Sequence, residues 1–140
     1  MTRIDFHSDV GNKIAYACRL ARKARGASCQ IVMFAQPADL TLLDEALWTF
    51  SELDFLPHVH ASNVLACKTP IVLTDRENLP LPHHQILINL SNTTPINFAR
   101  FERMFEIISS DDEDRQAGRE RYRFYQQRGY PLTHFTATTP

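Results

Sequence analysis

Arginine and aromatic side chains are concentrated near the end of the chain, in DDEDRQAGRERYRFYQQRGYPLTHF, residues 111–135. Four acids occupy positions 111–114, and five arginines follow within fourteen residues. On a helix, the spacing i, i+4, i+7, i+11 places Arg115, Arg119, Tyr122 and Gln126 on one face. Arginine binds carboxylates through planar, bidentate hydrogen bonds and stacks on aromatic groups. The pattern favours, equally, a site for an acidic peptide with an aromatic group or a solvated face whose charges complement the helix dipole.

The basic surface is local, because the chain of 140 residues carries a formal net charge of only -1. Proteins that wrap nucleic acid usually have a basic composition, so contact with DNA is expected to be indirect at most. Arginine outnumbers lysine twelve to three. The charge pattern is therefore compatible with a partner that has one acidic segment, and equally with a solvated helix face.

Histidines and cysteines supply the other candidate chemistry. His58 and His60 would share a face if they lay on a strand, and residues 83 and 84 are both histidine. Neither group has acids or cysteines at ligand spacing, so we predict no metal site. Cys18 falls on the apolar stripe of a predicted helix and is expected to be a buried thiol without catalytic function.

The hydrophobic pattern alternates between strands and helices. Strands are predicted over residues 3–7, 30–35, 70–74, 85–90 and 104–108. Helices are predicted from an N-cap at Ser8 or Asp9 to about Arg25, with Gly26 as the residue after the helix, from Pro37 to residue 50, and over residues 111–128. This order favours an α/β fold, a single three-layer domain with a mostly parallel central sheet of about five strands. The four glycines form neither GxGxxG nor GxxxxGK[ST], so the fold is predicted to be Rossmann-like without a phosphate-binding loop or cofactor.

We expect one domain over residues 1–135 and a frayed tail over residues 136–140. The three cysteines form no CxxC pair, which favours reduced thiols and a cytoplasmic protein. The longest apolar runs are too short to span a bilayer, so no membrane association is predicted.

Four segments together resemble one family. LDEALWTF, FLPH, ILINL and RERYRFYQQRGYPLTH, in this order and spacing, resemble the chi subunit of bacterial DNA polymerase III over nearly the whole chain. The resemblance implies a non-catalytic accessory protein of the clamp loader in DNA replication. Its implied partners are the acidic C-terminal tail of single-stranded DNA-binding protein (SSB), which ends in a phenylalanine carboxylate, and the psi subunit. Some chi proteins use the same face for an iron–sulfur DNA helicase.

The resemblance also assigns residues to the two main partners. By motif position, the SSB-tail site comprises Arg115, Arg119, Tyr122, Ile108 and Leu132. The psi-binding surface includes Trp48 and Phe55, which we expect on a partly exposed apolar patch away from the arginines. His134 stands where a threonine can contact the peptide in the family.

A second hypothesis belongs to a different class of protein. The same α/β pattern could be that of a small nucleotide-binding protein or enzyme with an unrecognised site, for which His58, His60 and Asp75 are the candidate residues. Binding of nucleotides rather than of an acidic peptide would favour this alternative.

Overall fold

The computed structural model describes residues 1–49, 56–76 and 81–137. Within them, one β-sheet is covered by helices on both faces. The strands are β1 (Arg3–Val10), β2 (Ile31–Phe34), β3 (His58–His60), β4 (Ile71–Thr74), β5 (Ile86–Asn89), β6 (Arg103–Ser109) and β7 (Leu132–Thr136). The helices are α1 (Lys13–Gly26), α2 (Pro37–Thr49) and α3 (Asp112–Gln127), and short 3₁₀ turns span Ala66–Lys68 and Phe98–Arg100.

The predicted α/β class and parallel sheet are confirmed. The strand order is β3-β4-β2-β5-β6-β1-β7, and every paired neighbour runs parallel. The central strands β2, β4 and β5 are buried along their whole length, as continuous apolar runs such as IVMF and ILIN indicate. The sheet has seven strands among the described residues rather than about five.

The two faces of the sheet have separate hydrophobic cores. On one face, α1 contributes the small buried residues Ala17, Cys18 and Ala21, and α2 contributes three buried leucines. On the other face, α3 buries Tyr125 against a core that includes Ile4, Phe6 and Met104. Ile4 and Phe6 are two positions apart on β1 and both point into this second core, which is the period of two expected for a strand.

The predicted start of the first helix is wrong. Ser8 and Asp9 belong to β1, and Asn12 caps α1 by accepting a hydrogen bond from the Ala15 N–H at 3.0 Å. The pairing of β1 with β6 changes register between His7 and Val10, and Asp9 has a φ of 55°. Aspartate tolerates this left-handed conformation better than most residues, so the irregularity can form without a glycine. Gly26 is the last residue of α1 rather than the residue after it.

Two strands were not predicted. β3 has only three residues, HVH, too few to show a hydrophobic period. β7 is an exposed edge strand in which Leu132 alone is half-buried, so its sequence LTHFT has little apolar pattern. β7 ends at Thr136, in the segment predicted to be a tail, and the Ala137 N–H donates to the Ser8 carbonyl at 2.8 Å. Residues 138–140 lie outside the described residues.

Candidate peptide-binding site

The helix α3 carries the predicted arginines, and its ends form as the sequence indicates. Asp111 is the N-cap, its side chain accepting from the Asp114 N–H at 3.3 Å, and three acids occupy the first turn. These acids lie at the positive end of the helix dipole, where they stabilise the helix. The buried side of α3 consists of Gly118, Arg121 and Tyr125.

Gly118 allows α3 to lie close to β6. A Cβ atom at this position would stand 3.0 Å from Ile108 Cγ1 and closer still to Ile108 Cδ1. A side chain at this position would force the end of the Ile108 side chain to move, whereas glycine lets the two elements meet without that adjustment. The close contact brings Ile108 of β6 beside the exposed face of α3.

Beside this contact, a cavity of about 360 Å³ opens between α3 and the ends of β1 and β7. We call it the arginine cavity. Its walls are Phe6, Ser8, Asp9, Ile108, Arg115, Gly118, Arg119, Tyr122, His134 and Thr136. The structure therefore brings together four of the five residues predicted for the SSB-tail site. Leu132, the fifth, packs against the same hydrophobic core as Tyr122 but does not line the cavity.

The cavity has an apolar side and a cationic side. Tyr122 packs edge-on against Phe6, with ring centroids 5.0 Å apart, and Ile108 is buried beside them. A terminal nitrogen of Arg115 lies 3.9 Å from Asp112 Oδ1. Both side chains are exposed, so this ion pair contributes little to stability. The Arg119 side chain is exposed and makes no hydrogen bond or ion pair to another described residue. The guanidinium of Arg119 is therefore available to an anion whose apolar part contacts Tyr122 and Ile108.

Sequence reasoning missed the part of the cavity that comes from β1 and β7. Phe6, Ser8 and Asp9 are far from α3 in sequence, and only the strand order β6-β1-β7 places them beside it. His134 Nε2 lies 2.6 Å from Ser8 Oγ, which joins the two strands at the cavity wall. His134 stands at a position that contacts the peptide in the family, although it was not among the residues predicted for the site, and it lines the cavity.

A buried polar network fixes α3 on the sheet, and no sequence signal pointed to it. Glu106 of β6 accepts hydrogen bonds from Tyr125 Oη at 2.6 Å, Asn89 Nδ2 at 2.8 Å and Arg121 Nε at 3.1 Å. Burial raises the pKa of Glu106. The positive charge of Arg121 and the three hydrogen bonds to the carboxylate act in the opposite direction. Both terminal nitrogens of Arg121 are buried without a hydrogen-bond partner among the described residues. Arg121 is thus a structural residue, unlike Arg119.

Comparison with known proteins shows the family to which the chain belongs. The family model described as "DNA polymerase III chi subunit, HolC" matches residues 1–133. The chain belongs to the chi subunit family. A DNA polymerase III subunit chi from Pseudomonas aeruginosa is 36% identical over 137 residues, 94% of each chain. One from Haemophilus influenzae is 26% identical over 118 residues, covering 84% of this chain and 82% of its own.

Chi is an accessory subunit of DNA polymerase III, and catalysis is carried by other subunits.

The histidines of the alternative enzyme hypothesis make structural contacts. His58 is buried, with Nδ1 2.7 Å from the Leu56 carbonyl oxygen and Nε2 3.0 Å from Asp44 Oδ1, and His60 Nε2 lies 3.3 Å from Asp75 Oδ1. Residues 1–49, 56–76 and 81–137 contain no group of three potential metal ligands.

Cys18 is buried on α1, on the apolar stripe where the sequence placed it. Burial raises the pKa of the Cys18 thiol to about 11, so the thiol is protonated at neutral pH. None of the helices in the described parts of the chain has the length and apolar character to span a bilayer.

The predicted psi-binding residues are described only in part. Trp48, near the end of α2, is 54% exposed, and its ring lies over His58 with centroids 4.6 Å apart. Phe55 lies outside the described residues. Trp48 is therefore at the surface, as expected for a contact residue. It contacts His58 of β3, the strand at the edge of the sheet opposite β7.

Proposed function

We propose that the arginine cavity of this chi subunit binds the acidic C-terminal tail of SSB. The observation that carries the proposal is the exposed guanidinium of Arg119, which has no partner among the described residues and lies beside the apolar surface of Tyr122 and Ile108. A C-terminal phenylalanine presents a carboxylate and an aromatic ring on the same residue. The guanidinium of Arg119 matches the carboxylate, and the apolar wall of the cavity matches the ring. Arg115 adds electrostatic attraction for aspartates further along the tail.

A set of related peptides tests this proposal from the side of the ligand. Calorimetric titration should show binding of the SSB-tail peptide, weaker binding after the terminal phenylalanine is replaced by alanine, and weaker binding after the terminal carboxylate is amidated. Each change removes one of the two groups that the cavity is proposed to recognise. Equal affinity for all three peptides would show that the tail does not bind in this way.

The linking function requires a second surface, and we propose Trp48 for contact with psi. Exposed tryptophans commonly contribute much of the binding free energy at protein interfaces.

In this proposal the chi subunit acts in the cytoplasm and connects SSB to the clamp loader, so its contact with DNA is indirect. An iron–sulfur DNA helicase that uses the same cavity should compete with the SSB-tail peptide in titrations.

A further inference from the structure

The outer edge of β7 is open to an additional strand. β7 is the last strand of the sheet and pairs with β1 alone among the described strands. Four of its five residues are exposed. It contains no lysine, aspartate or glutamate to discourage pairing, and its five residues exceed the three of β3 at the opposite edge.

The backbone groups that face outward can be assigned from the hydrogen bonds to β1. The Pro131 carbonyl accepts from the Ile4 N–H at 3.0 Å, and the Ala137 N–H donates to Ser8. In a parallel pair, alternate residues of a strand bond to the same neighbour. Residues 131, 133, 135 and 137 therefore face β1, and the N–H and C=O groups of Leu132, His134 and Thr136 point away from the sheet.

The same residues border the arginine cavity. The side chains of His134 and Thr136 line it, and they come from two of the three residues whose backbone groups face outward. The open edge of β7 and the rim of the cavity are thus one continuous surface. A chain that leaves the cavity across this rim passes within reach of those backbone groups.

We propose that an extended acidic peptide with its C-terminal residue in the arginine cavity adds to β7 as an eighth strand. The N–H and C=O groups of Leu132, His134 and Thr136 hold its main chain, in the mode known as β-augmentation. This inference rests on the proposed function and specifies how that ligand binds. Arg115 and Arg119 favour an acidic peptide at this edge over a second copy of the chain, whose β7 is uncharged.

Proline substitution tests the main-chain contact selectively. His134→Pro removes an outward N–H and leaves the hydrogen bonds to β1 in place, because proline is tolerated where the N–H of an edge strand faces solvent. His134→Ala is the matched control, since it also loses the bond to Ser8 but keeps the N–H. The proline variant should bind the SSB-tail peptide between about twofold and tenfold more weakly than the alanine variant, the effect of one net hydrogen bond. Equal affinity of the two folded variants would overturn the inference.

Amide hydrogen exchange gives a second test on the unaltered protein. Without peptide, the amides of Leu132, His134 and Thr136 should exchange faster than those of residues 133 and 135, which bond to β1. Saturating peptide should slow exchange of two or more of the three outward amides at least tenfold. Unchanged exchange with bound peptide would overturn the added strand. The cavity would still be the binding site if Arg119→Ala weakens binding of the peptide.

Two other outcomes also decide against the added strand. If the wild-type protein does not bind the peptide at all, the proposed function and the added strand both fail. If the outward amides become protected as protein concentration rises without peptide, the edge pairs with a second copy of the chain instead.

Discussion

Arg119 and Arg121 lie two positions apart on α3, and their surroundings are opposite. Successive helix residues turn by about 100°, so these side chains point to nearly opposite sides. Arg121 is only 4% exposed and bonds to Glu106, whereas Arg119 borders the cavity and is exposed. Alanine at position 119 should therefore affect binding, and alanine at position 121 should affect folding.

Gly118 sets the distance between α3 and β6, and we predict that Gly118→Ala destabilises the protein by up to about 2 kcal/mol. The methyl group would overlap Ile108, and overpacking typically costs about 1–3 kcal/mol, against a gain of about 1 kcal/mol in helix propensity. Urea unfolding measures the change. Because Ile108→Val removes the nearest atom, it should relieve much of the cost in the double variant; additive effects would contradict the assigned contact.

His7 should make stability depend on pH. Burial lowers its pKa, Asp5 raises it, and Arg103, Lys23 and His134 lower it further. In the unfolded protein the histidine has a pKa of about 6.5, higher than in the folded protein. As pH falls, the unfolded state therefore binds a proton at His7 before the folded state does. The contribution of a neutral His7 is therefore complete above about pH 6.5 and decreases below it.

We predict that the difference in unfolding free energy between wild type and His7→Gln is constant from pH 7 to 8. Below about pH 6.5, wild type should lose stability faster than the variant, by up to about 1.4 kcal/mol per pH unit. Urea unfolding at several pH values measures this. The variant retains the other histidines, so parallel curves would show that His7 is not the group responsible.

At the scale of elements, α3 is attached to the sheet through Glu106 as well as through apolar contacts. Glu106→Ala leaves the Arg121 guanidinium and the Tyr125 hydroxyl buried without their acceptor. We predict a loss of about 3–5 kcal/mol in unfolding free energy, the usual cost of removing one member of a buried pair. Thermal or urea unfolding measures it.

The matched control replaces both charges. Glu106→Leu with Arg121→Met removes the ion pair without leaving a buried charge, so it should cost much less than the two single changes added together. A double variant as unstable as that sum would show that the two residues do not act as a pair.

Most elements were predictable, because their sequences carry strong local signals. Buried strands such as β2 and β5 are continuous apolar runs, and α3 has acids at its start and glycine after its end. The start of α1 was misplaced because Ser8 and Asp9 are good caps by type but belong to a strand with an irregular register. β7 was missed because an exposed edge strand needs little apolar sequence.

The candidate site was predictable only along α3 and β6. The spacing of Arg115, Arg119 and Tyr122 defines one helix face, which needs no tertiary information. The contributions of Phe6 and His134 depend on strand order, and strand order is set by packing between distant segments. The family resemblance placed Leu132 in the site; its side chain packs against the same hydrophobic core as Tyr122 and does not line the cavity.

At the scale of the whole molecule, the two proposed surfaces lie at opposite ends of the sheet. The arginine cavity is beside β7, and Trp48 contacts His58 on β3. A linking protein can hold both partners at once only if their surfaces do not overlap. The strand order meets that requirement.

We predict that Trp48→Ala weakens binding of psi by about 2 kcal/mol or more, because buried interface tryptophans are frequent hot spots. Affinity for the SSB-tail peptide should remain unchanged, since Trp48 is remote from the cavity. Titration of the same variant with both ligands measures the two effects. Equal loss of both would indicate a folding defect, and unchanged psi binding would remove Trp48 from the interface.

The central claim is that Arg119 recognises an acidic peptide, and calorimetric titration of the SSB-tail peptide at two salt concentrations tests it most directly. Arg119→Ala should weaken binding by about 2–4 kcal/mol, and Arg119→Lys should restore only part, because an ammonium lacks the planar pair of donors. Raising salt should weaken wild type more than Arg119→Ala. Arg123→Ala removes the same charge from an exposed position of α3 outside the cavity and should have little effect. Equal affinities of wild type and Arg119→Ala, or equal losses in both alanine variants, would contradict the assigned site.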